Sequence, residues 1–211
     1  MSARFTLHGI WLSGPTYKVA LMLSMCELPY DYEHTHPRIE AKAPAFLAKN
    51  RFGQVPCLID NSNGRALCQS AAILEYLADV TDRFGGATRD ERLQAREWMY
   101  WEFDRLATPI YRMRGQRLGF RSFGQGVAEM YVQEGNAALK MLDDHLKGRD
   151  WIVGEHPSIA DIDVYGIIAY AATGGFDLAA YPAISGWIAR FEALPGFGTA
   201  EALLPKSSRA A

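Results

Sequence analysis

The sequence predicts an α/β unit of order βαβαββα followed by an all-α unit. Three observations carry this. Short strand-like runs occur only before about Thr81, helix-periodic or turn-like segments separate them, and long helical patterns fill the rest of the chain. Parallel strands joined by helices, followed by an antiparallel hairpin, give a small mixed sheet with helices on its faces.

Each element has a local reason. Phe5 and Leu7 alternate with Arg4, Thr6 and His8, which reads as a strand ending near Ile10. Ser13-Gly14-Pro15 then punctuates the chain, and proline is tolerated in the first turn of a helix, so a helix begins there. Val19, Met22, Leu23 and Cys26 form one helical face, and Pro29 ends the helix. Tyr30 to His34 reads as a second strand, Pro44 to Asn50 as a helical turn closed near Gly53, and Pro56 to Asp60 as a third strand. Asn61-Ser62-Asn63-Gly64 is a hairpin turn, because Asn and Gly tolerate positive φ, and Arg65 to Cys68 returns as the fourth strand. Ser70 is expected to cap a helix with Ile73, Tyr76, Leu77 and Val80 on one face.

The expected domains are therefore residues 1–81, a linker at 82–89 containing Gly85-Gly86, and an all-helical domain over 90–211. Helical patterns run at about 89–114, 124–147, 158–172 and 183–194, with Gly115, Gly119, Gly124 and Gly126 marking a break between the first two. Ser158-Ile159-Ala160-Asp161 is a capping box with Asp in place of Glu, a folding signal.

Composition removes several function classes. A chain of 211 residues has room for one large or two small domains and needs no disulfides to hold a core. Lys+Arg is 22 against Asp+Glu 24, so no broad positive field exists to gather nucleic acid or an anionic membrane. The three cysteines, Cys26, Cys57 and Cys68, are an odd number with no CxxC, which points to a reducing compartment and offers no zinc knuckle or dithiol motif. His34 and His36 share a strand face but lack a third ligand, so no metal is expected. No window holds the ~20 apolar residues of a membrane helix, and Met1 to Thr6 shows no signal-peptide run. A cytoplasmic protein without membrane or nucleic-acid partners is the expectation.

Four segments then point the same way: Ser13-Gly14-Pro15-Thr16-Tyr17-Lys18-Val19, Gly53-Gln54-Val55-Pro56, Gln69-Ser70-Ala71-Ala72-Ile73 and Ser158-Ile159-Ala160-Asp161. In order and spacing they resemble the cytosolic glutathione transferases across nearly the whole chain. That resemblance implies a thioredoxin-like domain followed by a helical bundle, glutathione as co-substrate, a small hydrophobic electrophile as second substrate, and a homodimer. It implies that Ser13 is the catalytic hydroxyl of the theta-, zeta- and delta-like classes, with Thr16 a rival in the same turn. Locally, Ser13 also reads as a plain N-cap. No tyrosine stands at the first-strand position used by the alpha, mu and pi classes.

Val55-Pro56 resembles the family's cis-proline step, whose backbone would pair with glutathione beside Gln54. Gln69-Ser70 resembles the pair that receives the γ-glutamyl end. Lys42 stands near the position of a cation for the glycine carboxylate; a solvated lysine is the alternative. Asp104 resembles an acid that reaches the γ-glutamyl amine in the neighbouring subunit; a surface pair with arginine on its own helix is the alternative. Trp11 and Tyr111 are candidate walls of an electrophile pocket, as Tyr100 is, and at helical spacing they also fit a core. The chain departs from the family pattern at Asn50-Arg51, where Asn-Pro is usual. Phe52 stands where some classes place an aromatic key. The basic stretch 112–117 is a solvated face or the border of a substrate pocket. Glutathione-dependent isomerisation, thiol–disulfide exchange through a cysteine, and a non-catalytic relative are the competing functions. Cys26 lies at the wrong end of the first helix for exchange, and Ser13-Gly14-Pro15 only partly matches the Ser-Ser-Cys of the zeta class.

Overall fold

A computed structural model describes residues 3–210, which fall into two compact units. The first comprises the described residues up to Arg83 together with those from Leu194 onward, and the second runs from Phe84 to Ala193.

The first unit is built on β1 (Phe5–Gly9), β2 (Tyr30–His34), β3 (Cys57–Asp60) and β4 (Arg65–Cys68), in sheet order β2-β1-β3-β4. β1 and β2 are parallel, and both β1–β3 and β3–β4 are antiparallel. The parallel step is made through α1 (Gly14–Met25); α2 (Pro44–Leu47) follows β2, and α3 (Ser70–Thr81) follows β4. This is the thioredoxin-like βαβαββα order. Phe5 and Leu7 of β1, Val19 and Leu23 of α1, Leu58 of β3 and Ile73, Leu74 and Leu77 of α3 are all fully buried. Each such side chain contributes about 1.5–3 kcal/mol relative to exposure.

α1 is buried on more than the one face its spacing suggests. Its Tyr17 hydroxyl donates to Gly198 O (2.9 Å) and its Ser24 hydroxyl to Gly196 O (2.7 Å), so the C-terminal segment covers a second side. The last described residues also bridge the open edge of β2: Tyr32 N–H donates to Arg209 O (2.6 Å) and Arg209 N–H returns to Tyr32 O (2.8 Å). An unpaired strand edge is thereby covered. Residues from Leu194 onward therefore pack with the first unit, not with the helices of the expected 90–211 domain.

The β3–β4 turn is held by Asp60. Arg4 Nη2 (2.8 Å) and the Tyr76 hydroxyl (2.7 Å) donate to Oδ2, and the Ser62 N–H (2.9 Å) donates to Oδ1. Burial alone would raise this carboxyl, but those donors outweigh it and hold it far below the usual carboxylate range.

The second unit is helical: α4 (Arg89–Trp101), a π-helical turn (Glu102–Leu106), α5 (Ala107–Arg117), α6 (Gln125–Leu146), α7 (Ile159–Ile168), α8 (Ala171–Gly174) and α9 (Pro182–Glu192). The short α10 (Ala200–Leu203) belongs to the first unit. The single pattern expected over 89–114 is two helices, because Pro109 has no N–H to return to the turn before it and the chain widens there. The pattern expected over 158–172 breaks after Ile168. The capping box forms: Ser158 N–H donates to Asp161 Oδ2 (2.8 Å), while Asp161 Oδ1 accepts from Ile152 N–H (3.0 Å) and Trp187 Nε1 (2.9 Å). One buried carboxylate thus ties α7, the loop before it and α9 together. No helix among the described residues is long and apolar enough to cross a membrane.

β1 carries an acid-sensitive group. His8 is buried, 3.4 Å from Thr35 Oγ1 through Nδ1, with its ring edge-on to Phe46 at 5.7 Å. Burial, helped by the charge of Lys49 and opposed by Glu33, pushes it down to about 4 from 6.5. A depressed histidine leaves the folded state holding fewer protons than the unfolded one, so its stabilising contribution is full above 6.5 and falls as pH drops towards 4. Urea unfolding measured across that window is expected to show stability falling with acid, and His8→Gln is expected to flatten the fall.

Candidate functional site

The site is built from two helix starts and the loop between them in the chain. At the first, Ser13 follows the turn after β1 and, in an extended conformation, becomes the N-cap of α1. The Thr16 N–H donates to Ser13 Oγ (3.2 Å), and Tyr17 N–H to Ser13 O (2.9 Å). Pro15 has no N–H, so Gly14 contributes the remaining amide of this turn. The Ser13 oxygen is engaged as an acceptor, and its O–H remains a donor. Ser13 is partly exposed, whereas Thr16 is fully buried with its hydroxyl unpartnered. Thr16 packs on Gly9 so closely that a Cβ there would lie 2.1 Å from its methyl group. The rival hydroxyl is thus turned into the β1–α1 contact.

At the second helix start, Ser70 is not the cap. Gln69 is, with φ +69°, and it makes no side-chain cap bond. Ser70 is the first helical residue, because the chain must turn sharply from β4 and does so one residue earlier than the sequence suggested. Positive φ at a non-glycine residue is costly and concentrates at functional positions. The first turn of α3 therefore presents amides that no cap side chain occupies, beside a partly exposed Ser70. On the buried face of this helix Leu74 and Ala78 take the place expected of Val80, which is exposed.

The intervening loop is shaped by a residue whose role the sequence hid. Asn50 is buried; its Nδ2 donates to Gln54 O (2.7 Å) and its Oδ1 accepts from Phe52 N–H (3.0 Å). Lys42 Nζ donates to Gly53 O (2.6 Å). The Val55–Pro56 bond is cis, and among the described residues the Val55 backbone makes no backbone hydrogen bond. The exposed side chains of Gln54 and Gln69 meet at 3.5 Å, which brings the 54–56 loop and the start of α3 together.

The remaining candidates sit elsewhere. Trp11 is partly exposed in the turn after β1, with Lys206 Nζ 5.1 Å from its ring centre. Asp104 lies on the π-helical turn of the second unit, exposed and paired with Arg105 at 2.8 Å. Such exposed pairs contribute little, so the acid is available at small cost. Tyr111 lies on α5 with its hydroxyl buried, and burial, reinforced by the nearby Glu102, pushes that hydroxyl well above its usual range. Phe52 is exposed with Arg51 over its ring at 4.5 Å. No cluster of three or more His, Cys, Asp or Glu among the described residues could hold a metal ion.

Gly53 tests the loop. Its φ is +57°, and a Cβ there would meet Ala41 O at 3.0 Å and Lys42 Nζ at 3.1 Å. Gly53→Ala is expected to lower stability by about 1–2 kcal/mol, the cost of placing a side chain in left-handed backbone, as read from its urea midpoint.

Comparison with known proteins agrees with this geometry. The model of the glutathione S-transferase N-terminal domain matches residues 3–79, and that of the C-terminal domain matches residues 116–195. A crystal structure of a possible glutathione S-transferase from Rhodopseudomonas palustris is 36% identical, covering 93% of this chain and 90% of that one, with a TM-score of 0.85. A glutathione transferase family member from Pseudomonas fluorescens Pf-5, solved with two glutathione bound, is 26% identical over 92% of this chain and 90% of that one, with a TM-score of 0.81. The disulfide-bond oxidoreductase YfcG of Escherichia coli is 28% identical over 194 residues, 87% of this chain and 88% of that protein.

Proposed function

Because this chain belongs to the glutathione S-transferase family, we propose that it binds glutathione on its first unit and activates the thiol for attack on a small hydrophobic electrophile. The observation that carries the reading is the Gln54–Gln69 contact. It sets the unengaged Val55 backbone beside the uncapped start of α3. An extended backbone is a partner for the cysteinyl part of a tripeptide, and a helix start is a partner for its γ-glutamyl carboxylate. Glutathione supplies both pieces and the reacting sulfur.

Each residue then has a task. Val55 pairs with the peptide backbone, Gln54 flanks it, and cis Pro56 holds the step. Gln69 and Ser70 receive the γ-glutamyl end with the α3 amides. Lys42, which already steadies Gly53 O, offers its charge to the glycine carboxylate. Asp104 reaches the γ-glutamyl amine from the second subunit of a homodimer, and Trp11 offers apolar surface to the electrophile. Ser13 donates its hydroxyl proton to the glutathione sulfur. A free thiol titrates near ~8.5, and each unit of lowering takes about 1.4 kcal/mol of preference for the anion. A charge-assisted hydrogen bond at a helix N-terminus is of that size. The reaction needs no covalent protein intermediate and no metal: proximity, thiolate stabilisation and exclusion of water carry it. The three free thiols fit a reducing, cytoplasmic setting, and conjugation of electrophiles is a detoxification role.

The likeness to YfcG favours a second reading, glutathione-dependent disulfide reduction at the same Ser13. Cys26 is a poor exchange thiol in either case, since it is buried at the far end of α1 and burial raises its thiol. Both activities are measured with the same variants. Ser13→Ala is expected to lower kcat for conjugation of a chlorinated nitrobenzene by about tenfold or more, equivalent to about 1.4 kcal/mol of transition-state stabilisation. Thr16→Val and Cys26→Ser are expected to leave it near wild type. An unchanged Ser13→Ala enzyme removes the assignment, and a protein that reduces a small disulfide but conjugates nothing selects the second reading.

A further inference from the structure

Two of the three cysteines lie opposite one another. Cys57 opens β3, Cys68 closes β4, and they are direct partners in the antiparallel register. Directly opposite residues in such a ladder hold their Cα atoms about 4.5 or 5.5 Å apart, and both spacings fall inside the window of about 4.4–6.8 Å that a disulfide takes. Opposite residues also project from the same face of the sheet.

Their surroundings differ. Cys57 is fully buried in a small cluster with Ala41 and Phe46, edged by Val55 and Ile59. Cys68 is partly exposed, with its Sγ 3.7 Å from Lys49 O. One thiol is reachable from solvent and the other from its neighbour. The pair also brackets the proposed glutathione cradle: Cys57 directly follows Val55-Pro56, and Cys68 directly precedes Gln69-Ser70.

We propose that Cys57 and Cys68 are a reversible redox modification site that a small-molecule disulfide, such as oxidised glutathione, converts to a cross-strand disulfide. Cys68 loses its proton to solvent, and its thiolate attacks one sulfur of the small disulfide. That S–S bond breaks, a Cys68 mixed disulfide forms, and one thiolate leaves and takes up a proton. Cys57, deprotonated in turn, attacks the Cys68 sulfur. The mixed disulfide breaks, the second small thiol leaves, and the Cys57–Cys68 bond remains. One small disulfide has been reduced to two thiols, and two protein thiols have been oxidised to one disulfide. Excess reduced glutathione drives the reverse.

Burial sets the pace. It pushes Cys57, with the neighbouring Cys68, up to about 12, and it also raises Cys68. Both are protonated at neutral pH, so exchange is slow and quickens with pH. Such a pair registers sustained oxidation and is blind to brief pulses. The bond pins together the two strand ends that carry the cradle, so its state changes glutathione affinity; this consequence rests on the function proposed above, while bond formation does not.

The test uses the intact protein, incubated at mildly alkaline pH with oxidised glutathione and, separately, with hydroxyethyl disulfide, which needs no glutathione site. Thiols are then alkylated in denaturant and the peptides mapped by mass. The expected result is a fall from three free thiols to Cys26 alone, loss of the mass of two hydrogens, and a peptide joining Cys57 to Cys68. Cys57→Ser is expected to stop at a mixed disulfide on Cys68, and Cys68→Ser to remain unmodified. Three persistent thiols, a stable mixed disulfide on wild-type Cys68, or a bond involving Cys26 overturns the proposal. Calorimetry with glutathione is expected to show a change in Kd of about fivefold or more on oxidation, the usual lower range for coupled sites, absent in Cys68→Ser. An unchanged Kd in the oxidised protein overturns the coupling. A reduced protein that binds no glutathione counts instead against the cradle.

Discussion

The site depends on a constraint of helix geometry: the first N–H groups of an α-helix have no partner inside the helix. Some helix starts satisfy them with a side-chain cap, as Ser158 and Asp161 do at α7 and Thr88 does at α4, while α5, α6 and α9 carry none. The two starts in the candidate site differ in this respect. At α1, Ser13 caps one amide and keeps its hydroxyl proton to donate. At α3, no cap side chain is engaged. α3 follows β4 after one residue and α1 follows β1 after a short turn, so the sheet positions these donors, and partial positive charge accumulates there without any basic patch. This explains how a chain of net charge −2 can receive a small anionic ligand.

The same economy governs the loop between them. Its backbone carbonyls are consumed from inside, Gln54 O by Asn50 and Gly53 O by Lys42, so the chain is rigid up to Val55. Val55 is where that internal bonding stops. A backbone segment whose neighbours are fixed and whose own groups are unspent is pre-organised to pair with a peptide, and little ordering entropy is lost when it does. The buried Asn50 does for this loop what Asp60 does for the β3–β4 turn: one polar side chain satisfies the backbone at a sharp change of direction.

Much of this was legible in the residues. The strands Tyr30–His34 and Arg65–Cys68 follow from alternation bounded by turn residues, and the Asn61–Gly64 turn from positive-φ chemistry. Ser13 as cap follows from its place before Gly14-Pro15. What stayed hidden depends on contacts distant in sequence. Nothing local says that Gln69 and not Ser70 turns the chain, because that is set by where β4 must end against β3. The packing of residues after Leu194 on α1 and β2 is likewise invisible to periodicity, since it rests on hydroxyls such as Tyr17 and Ser24 reaching backbone carbonyls some 170–180 residues away. The π-helical turn could have been suspected from Pro109, but the helical spacing on either side masks it. The facing of Cys57 and Cys68 needs the exact register, which a four-residue turn alone does not fix.

The chemistry proposed for the site is electrostatic: a hydroxyl held at the start of α1 stabilises a thiolate on a bound tripeptide. The most direct measurement is the titration of glutathione bound to the protein, followed by the ultraviolet absorbance of the thiolate. The predicted result is a midpoint at least about one unit below that of free glutathione, equivalent to about 1.4 kcal/mol, returning to the free value in Ser13→Ala while binding persists. A bound thiol that titrates like free glutathione in the wild-type protein, or a lowered midpoint that survives Ser13→Ala, would contradict it.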